Sequence, residues 1–330
     1  MRSDNQLTIS VDLGENEREP SEFLECIVLS EKMGFDAAWL GDHFLPWIHN
    51  GGRSSSVWPL IGAALQSTKK ILVGPLVATP IGGRYHPATL AQSSATVDSM
   101  FPGRLILSVG TGEAVNEFPF LGHWPDWHER IERLSEGVEL MKRLWTSPSY
   151  FDFDGKFFKM KQVFLYTKPK TNLEVCFSAL GKGSARYAGK YGDHLLTLSQ
   201  ECSLEKCEEE IFPSFERGAK DAGKDPGKMK KVVSLGFTLD DQETFLKASR
   251  QTAATNSWNE TDPRKIESMG PSVSDDKILR TTYFCSDWDD VVDLISKFQD
   301  AGTTHIILQP GANEERIKEY GERILKQFRT

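Results

Sequence analysis

Short apolar runs alternate with amphipathic stretches of helical period along nearly the whole of this 330-residue chain. That alternation is the pattern of repeated βα units, whose strands are buried on both faces and whose helices bury a single stripe. Eight runs qualify as strands, at 7–11, 37–40, 71–78, 105–109, 174–178, 194–198, 232–238 and 304–308. Helix signals fall between them. Pro20 opens a run in which Phe23, Leu24, Ile27 and Val28 share one face, and Gly34 ends it. A second helix at 87–100 runs into the turn Phe101-Pro102-Gly103, and a third at 131–145 carries Leu134, Val138, Met141 and Trp145 at helical spacing. Two stretches leave the period. The segment 151–166, with Asp154-Gly155 between aromatic runs, predicts a β-hairpin. The longer segment 240–286 is polar and punctuated by Pro and Gly, and predicts helices over the mouth of a barrel. The fold expected is α/β, one (β/α)8 TIM barrel with insertions spanning 1–330.

Composition narrows the function. With 39% apolar and 26% charged residues the chain can bury a large core and does not read as disordered. A net charge of −8 disfavours nucleic acid and anionic membrane as partners, since both need a basic face. No apolar stretch has signal-peptide or membrane-spanning length, so a cytoplasmic protein is expected. The cysteines Cys26, Cys176, Cys202, Cys207 and Cys285 are scattered without CxxC spacing, which argues against disulfides and zinc. His123 and His128 do not share a helix face, and with His49 and His86 they offer no metal-ligand spacing, so no metal is expected. Neither a Gly-x-Ser-x-Gly elbow nor a Cys-His hydrolase signature occurs.

In a barrel of this kind the active site is built from the loops after the strands. Three loops carry candidate chemistry: Gly41-Asp42-His43-Phe44-Leu45-Pro46-Trp47, Val77-Ala78-Thr79-Pro80, and Gly110-Thr111-Gly112-Glu113-Ala114-Val115-Asn116-Glu117. His43 follows a strand and stands beside a carboxylate able to fix its tautomer, which suits a general base near neutral pH. Asp42 itself reads equally as a cap for the next helix. Trp47 could wall a planar cofactor and donate its indole N–H. The glycines around Thr111 would let backbone approach a flat ligand, although such a turn is equally a tight strand-to-helix connection. Gly181-Lys182-Gly183-Ser184 could set helix N-terminal amides around an anion, without P-loop or Rossmann spacing.

The three segments 41–47, 110–117 and 186–193, in this order and spacing, resemble the F420-dependent branch of the bacterial-luciferase-like superfamily. Segments 62–70, 164–169 and 191–194 bring it nearest the F420-dependent secondary alcohol dehydrogenases of archaea, with the F420-dependent glucose-6-phosphate dehydrogenases as near relatives. The resemblance implies coenzyme F420 as cofactor, a small alcohol as substrate and a homodimer. It implies His43 as the catalytic histidine that accepts the hydroxyl proton, with Trp47 polarising the substrate oxygen and Glu113 managing charge at the pyrimidine side of the ring. Asp42, Thr79, Thr111 and Asn116 would touch the deazaflavin, and Leu180, Gly181 and Gly183 would lie near its phosphate tail. A non-proline cis peptide is implied at Leu76-Val77, beneath the ring. The sugar-phosphate relatives hold phosphate with two lysines and an arginine, and the matching positions here are Glu201, Ser268 and Thr281. At the family's N-terminal glutamate this chain has Asn16, flanked by Glu15 and Glu17. Alternatives are an F420-dependent sugar-phosphate dehydrogenase, a methylene-tetrahydromethanopterin reductase, an FMN-dependent monooxygenase and a binding protein for a flavin-like ligand.

Overall fold

The computed structural model describes residues 6–14, 18–255 and 257–329. Strands Thr8–Asp12, Ala37–Leu40, Leu72–Pro75, Leu107–Val109, Val175–Ser178, His194–Leu198, Lys231–Leu235 and His305–Leu308 form one parallel sheet. Its spatial order runs third, second, first, eighth, seventh, sixth, fifth, fourth. Parallel bridges Val73–Leu105 and Ala78–Val109 join the two ends, so the sheet closes on itself as a luciferase-like TIM barrel. Sequential strands are neighbours throughout, as short right-handed βαβ connections require.

The pleat sorts side chains between two cores. Ile9, Val11, Ala38, Leu40, Val175, Phe177, Ile306 and Leu308 pack in the large cluster that includes helix residues Phe23, Ile27, Leu134 and Val138. Their alternates Trp39, Cys176, Leu196, Val232 and Ile307 form a separate cluster that fills the barrel interior. Ser10 also points inward, where the Trp39 indole donates to its Oγ at 3.0 Å and His305 Nε2 lies 2.7 Å from it. Burial pushes the His305 imidazole down to about 3, so this interior network is neutral.

Local signals set the helix ends. The helix Pro20–Met33 has Pro at its start, a Glu19/Glu22 capping box and Gly34 at φ 95° as its left-handed stop. The helix Trp127–Thr146 starts one turn before the expected 131, because the Asp126 side chain accepts from Glu129 N at 2.9 Å. Trp127 and His128 at its start are exposed and Arg130 is buried as a charged residue, so the first turn carries no apolar period to read. The third strand is shorter than 71–78: the Leu76-Val77 peptide after it is cis, and pairing resumes only at Ala78. The seventh breaks at Gly236, beyond which Phe237–Thr238 leaves the barrel and pairs in parallel with Tyr283–Phe284.

The segment 151–166 contains an antiparallel pair, Phe151–Asp154 with Lys159–Val163. Its turn is wider than Asp154-Gly155: Gly155 N–H donates to Phe158 O, and the Glu136 carboxylate accepts from the backbone N–H of Lys156, Phe157 and Phe158. The segment 240–286 holds the helices Gln242–Ser249, Pro263–Met269 and Asp275–Leu279. Among the described residues no helix is long and apolar enough to cross a membrane.

Candidate active site

A cavity of about 970 Å³ opens at the ends of the strands where Asp12, Leu76, Gly110, Ser178, Leu198 and Gln309 emerge. This is the face on which parallel barrels place their chemistry. Of the residues expected from the sequence, His43, Trp47 and Glu113 line it together. So do Leu76, Val77, Thr111, Leu180, Gly181 and Gly183. Asp42, Thr79 and Asn116 are buried behind the residues that line it. They stand behind the wall and hold it. Asn16, Glu15 and Glu17 lie outside the described residues.

The loop after the second strand is held from its own interior. Asn116, near the start of the helix Ala114–Leu121, accepts at Oδ1 from Phe44 N–H at 2.7 Å and Leu45 N–H at 3.1 Å. Its Nδ2 lies 2.9 Å from His43 Nδ1. The group on the histidine is therefore an amide and not the neighbouring carboxylate that the sequence suggested. Asp42 turns away and pairs with Arg84, whose Nη2 is 2.7 Å from Oδ1, while Tyr85 O–H donates to the same oxygen at 3.1 Å. Arg84 also donates to the Asp42 carbonyl at 2.7 Å. Asp42 caps no helix. Burial raises the Asp42 carboxyl above its ordinary range against the pull of Arg84.

Burial is also the largest influence on His43 and lowers it, with the Glu113 and Asp42 carboxylates pulling the other way. The imidazole is neutral near pH 7. The Trp47 ring lies 5.4 Å from the His43 ring and meets Trp258 edge-on at 5.7 Å. Trp258 comes from the 240–286 segment, and its carbonyl accepts from Ala114 N at 3.0 Å. With Thr252, Thr255 and Asn259 it walls the cavity. Nothing in the local pattern of that segment marks these residues, because the contacts that bring them in are made by its tertiary packing.

Beneath the mouth, Glu117 accepts from Arg84 N–H at 3.0 Å, and burial pushes its carboxyl up to about 8. Two glycines shape the wall. Gly112 has φ 73°, and a methyl group at Gly110 would come within 2.6 Å of Val77 Cγ2. On the far wall the helix Lys182–Tyr191 begins at Gly181, with Gly183 against the Trp127 ring. One turn on from Trp127, Arg130 lines the cavity; its guanidinium donates to Pro125 O at 2.6 Å and lies over Trp124. Its Nε is buried without a hydrogen-bond partner. Sequence reasoning missed Arg130, as it missed Asp12, Gln200 and Gln309. Asp12 ends the first strand, at the edge of the barrel mouth, and could have been found on that ground.

This set suits a flat heterocycle with an anionic tail: a glycine-relieved wall by Val77 and, across the cavity, a helix N-terminus with a buried guanidinium nearby. The family model for the luciferase-like monooxygenases matches residues 6–305. The chain belongs to that family. Within it, the chain is 34% identical over 315 residues to an F420-dependent glucose-6-phosphate dehydrogenase of Rhodococcus erythropolis, covering 93% of each. The corresponding enzyme of Segniliparus rotundus is also 34% identical, over 314 residues. A solved F420-dependent secondary alcohol dehydrogenase, in complex with an F420-acetone adduct, superposes with a TM-score of 0.89 at 33% identity, covering 97% of this chain and 98% of that one. The coenzyme F420-dependent tetrahydromethanopterin reductase of Methanopyrus kandleri, at 20% identity and TM-score 0.77, shares the luciferase-like fold.

Of the positions matched to phosphate ligands in the sugar-phosphate relatives, Glu201 lines the cavity. Ser268 is exposed and donates to Lys265 O, and Thr281 lines a smaller neighbouring cavity of about 180 Å³.

Proposed function

We propose that this protein is an F420-dependent dehydrogenase whose substrate is a small secondary alcohol or the matching ketone. The cofactor assignment rests on relatives and a structural neighbour of that dependence covering more than nine-tenths of the chain. When bound, the deazaflavin supplies a two-electron hydride acceptor or donor with little radical or oxygen chemistry. Leu76, Val77, Gly110 and Thr111 would pack against its ring, and Gly181, Gly183 and Arg130 would receive its anionic tail. His43 and Trp47 then bracket the oxygen of the reacting carbon, and Glu113 borders the same space.

The single observation that carries the substrate assignment is the charge of the wall. Among the described residues lining the cavity the carboxylates are Asp12, Glu113 and Glu201, and the one Lys or Arg is Arg130, which follows Trp127 on the cofactor-tail side. A dianionic sugar phosphate would meet a carboxylate, Glu201, where it needs cations. A second reading, glucose 6-phosphate as substrate, is favoured by the relatives that share 34% identity.

The test is spectroscopic. Titration with F420 and with FMN separates the cofactors, and bleaching of oxidised F420 is then followed with 2-propanol, larger secondary alcohols and glucose 6-phosphate. Bleaching with an alcohol and none with the sugar phosphate is expected. Turnover of glucose 6-phosphate at comparable kcat/KM would overturn the alcohol assignment, and tight FMN binding without F420 binding would overturn the cofactor.

A further inference from the structure

We propose that Asn116 is a positioning residue that holds His43 in the Nε2-protonated tautomer, so that His43 offers a hydrogen bond to the substrate oxygen and does not accept its proton. The argument begins with the amide. Its Oδ1 accepts from two backbone N–H groups, Phe44 at 2.7 Å and Leu45 at 3.1 Å. An NH2 group placed there would set donor against donor twice, so the orientation of the amide is decided by the loop. The Nδ2 group, 2.9 Å from His43 Nδ1, is then a donor and Nδ1 must be the acceptor. A neutral imidazole with an unprotonated Nδ1 carries its proton on Nε2.

The same geometry blocks the imidazolium. Protonating both nitrogens would point Nδ1–H at the Asn116 NH2, and relieving that clash means rotating the amide and losing both backbone hydrogen bonds. Asn116 is 1% exposed and His43 7%, so bulk water does not compensate for those losses. Burial independently opposes the charged ring. Of the groups facing the imidazole, Glu113, Asp42 and a backbone hydrogen bond with Leu45 favour the cation and Arg84 opposes it, with burial the largest influence and against the charge; Asp42 is already paired with Arg84.

The consequence for chemistry rests on the alcohol-oxidising reading above. Nε2–H of His43 and the Trp47 indole then act as donors that stabilise an oxygen gaining negative charge, in the manner of an oxyanion site. The hydroxyl O–H bond breaks toward a carboxylate of the cavity wall, which becomes the neutral acid, while the carbinol C–H bond would give up its hydride to bound oxidised F420 and leave the ketone; Asp12, Glu113 and Glu201 are the proton acceptors on the described wall. The proton-accepting role that the sequence suggested for His43 is replaced by that of a donor.

The test reads the tautomer directly, in cofactor-free protein labelled with ring-15N histidine. The His43 signals are assigned by their loss in His43→Asn, and two-bond 15N–1H correlations tell protonated from bare nitrogens. An unprotonated Nδ1 and a protonated Nε2, unchanged from pH 6 to 8, are expected. A protonated Nδ1, or an imidazolium forming in that range, overturns the proposal. Asn116→Asp supplies the second arm, because one carboxylate oxygen can still accept from Phe44 and Leu45 while the other accepts from Nδ1–H. It should reverse the tautomer and lower kcat on the order of 10²-fold or more, the scale of losing one such donor. A reversed tautomer with unchanged kcat, or a lowered kcat with the tautomer unchanged, overturns the role given to Asn116. The wild-type spectrum decides the tautomer should that variant not fold. Failure to bind F420 or oxidise an alcohol would count against the proposed function and leave the tautomer standing.

Discussion

Replacing Arg84 with methionine leaves the Asp42 carboxylate buried and without its counter-charge. In the intact protein the Asp42 side chain is fully buried and that of Arg84 is 10% exposed, with Nη2–Oδ1 at 2.7 Å and a second bond from Nη1 to the Asp42 carbonyl at 2.7 Å. Asp42 Oδ2 has no hydrogen-bond partner, so after the substitution Tyr85 O–H is the one remaining donor to the side chain. Removing one partner of a buried pair costs about 3–5 kcal/mol, because the remaining charge is uncompensated. Urea unfolding at pH 7 should show a midpoint lowered by that amount divided by an unchanged m-value. The pH dependence has a definite sign. The folded-state pKa of Asp42 is raised by burial and rises further without Arg84, so the neutral acid is favoured on folding. Stability from that source is fully present below the unfolded carboxyl range and is lost as pH rises through the folded value. The deficit of the variant should therefore shrink as pH falls from 7 toward 4. Replacing both partners, Asp42→Leu with Arg84→Met, should recover most of the loss. A single Arg84→Met within about 1 kcal/mol of wild type at pH 7, too small a change for a broken buried pair, would refute the reasoning.

Glu117 sits at about 8 because of burial, so it is largely protonated at neutral pH. Its raised folded value contributes stability that is fully present below the ordinary value of 4.5 and is lost as pH climbs from there to about 8; thermal unfolding of Glu117→Gln should match wild type near pH 4, gain on it steadily up to pH 8 and keep a constant advantage above. Gly110→Ala would bring a methyl group within 2.6 Å of Val77 Cγ2, and F420 fluorescence titration should show affinity weakened by about tenfold or more, at the 1–3 kcal/mol scale of overpacking, with the far-UV circular dichroism spectrum retained. Arg130→Met removes the buried guanidinium and should weaken F420 by about 10–100-fold, the scale of a hydrogen bond to a charged group. A deazaflavin lacking the phosphate tail should bind the variant and the wild type alike, and an equal loss for both would refute the tail assignment.

Element types were legible because periodicity is a local property. The eight apolar runs became eight barrel strands in the order that βαβ handedness allows. Pro20 and Gly34 bounded their helix because each is conformationally suited to one end. Boundaries failed where a neighbour decided them. The third strand stopped at Pro75 and the seventh at Leu235, since the backbone there turns to build the mouth or to meet Tyr283. Trp258 and Arg130 were illegible for a related reason: one lies in an aperiodic insertion, the other on an amphipathic helix where an arginine reads as solvated surface.

By itself the chain's order of residues determined the barrel and the loops from which His43, Trp47 and Glu113 reach one cavity, because strand and helix periods and loop placement depend on residues near one another. Only the tertiary structure decided what each neighbour does. Asp42 adjoins His43 in the chain yet turns to Arg84, while Asn116, 73 positions away, takes the imidazole nitrogen. A hydrogen bond requires two atoms about 3 Å apart in the right orientation, and that distance is set by how the loops pack across the barrel mouth.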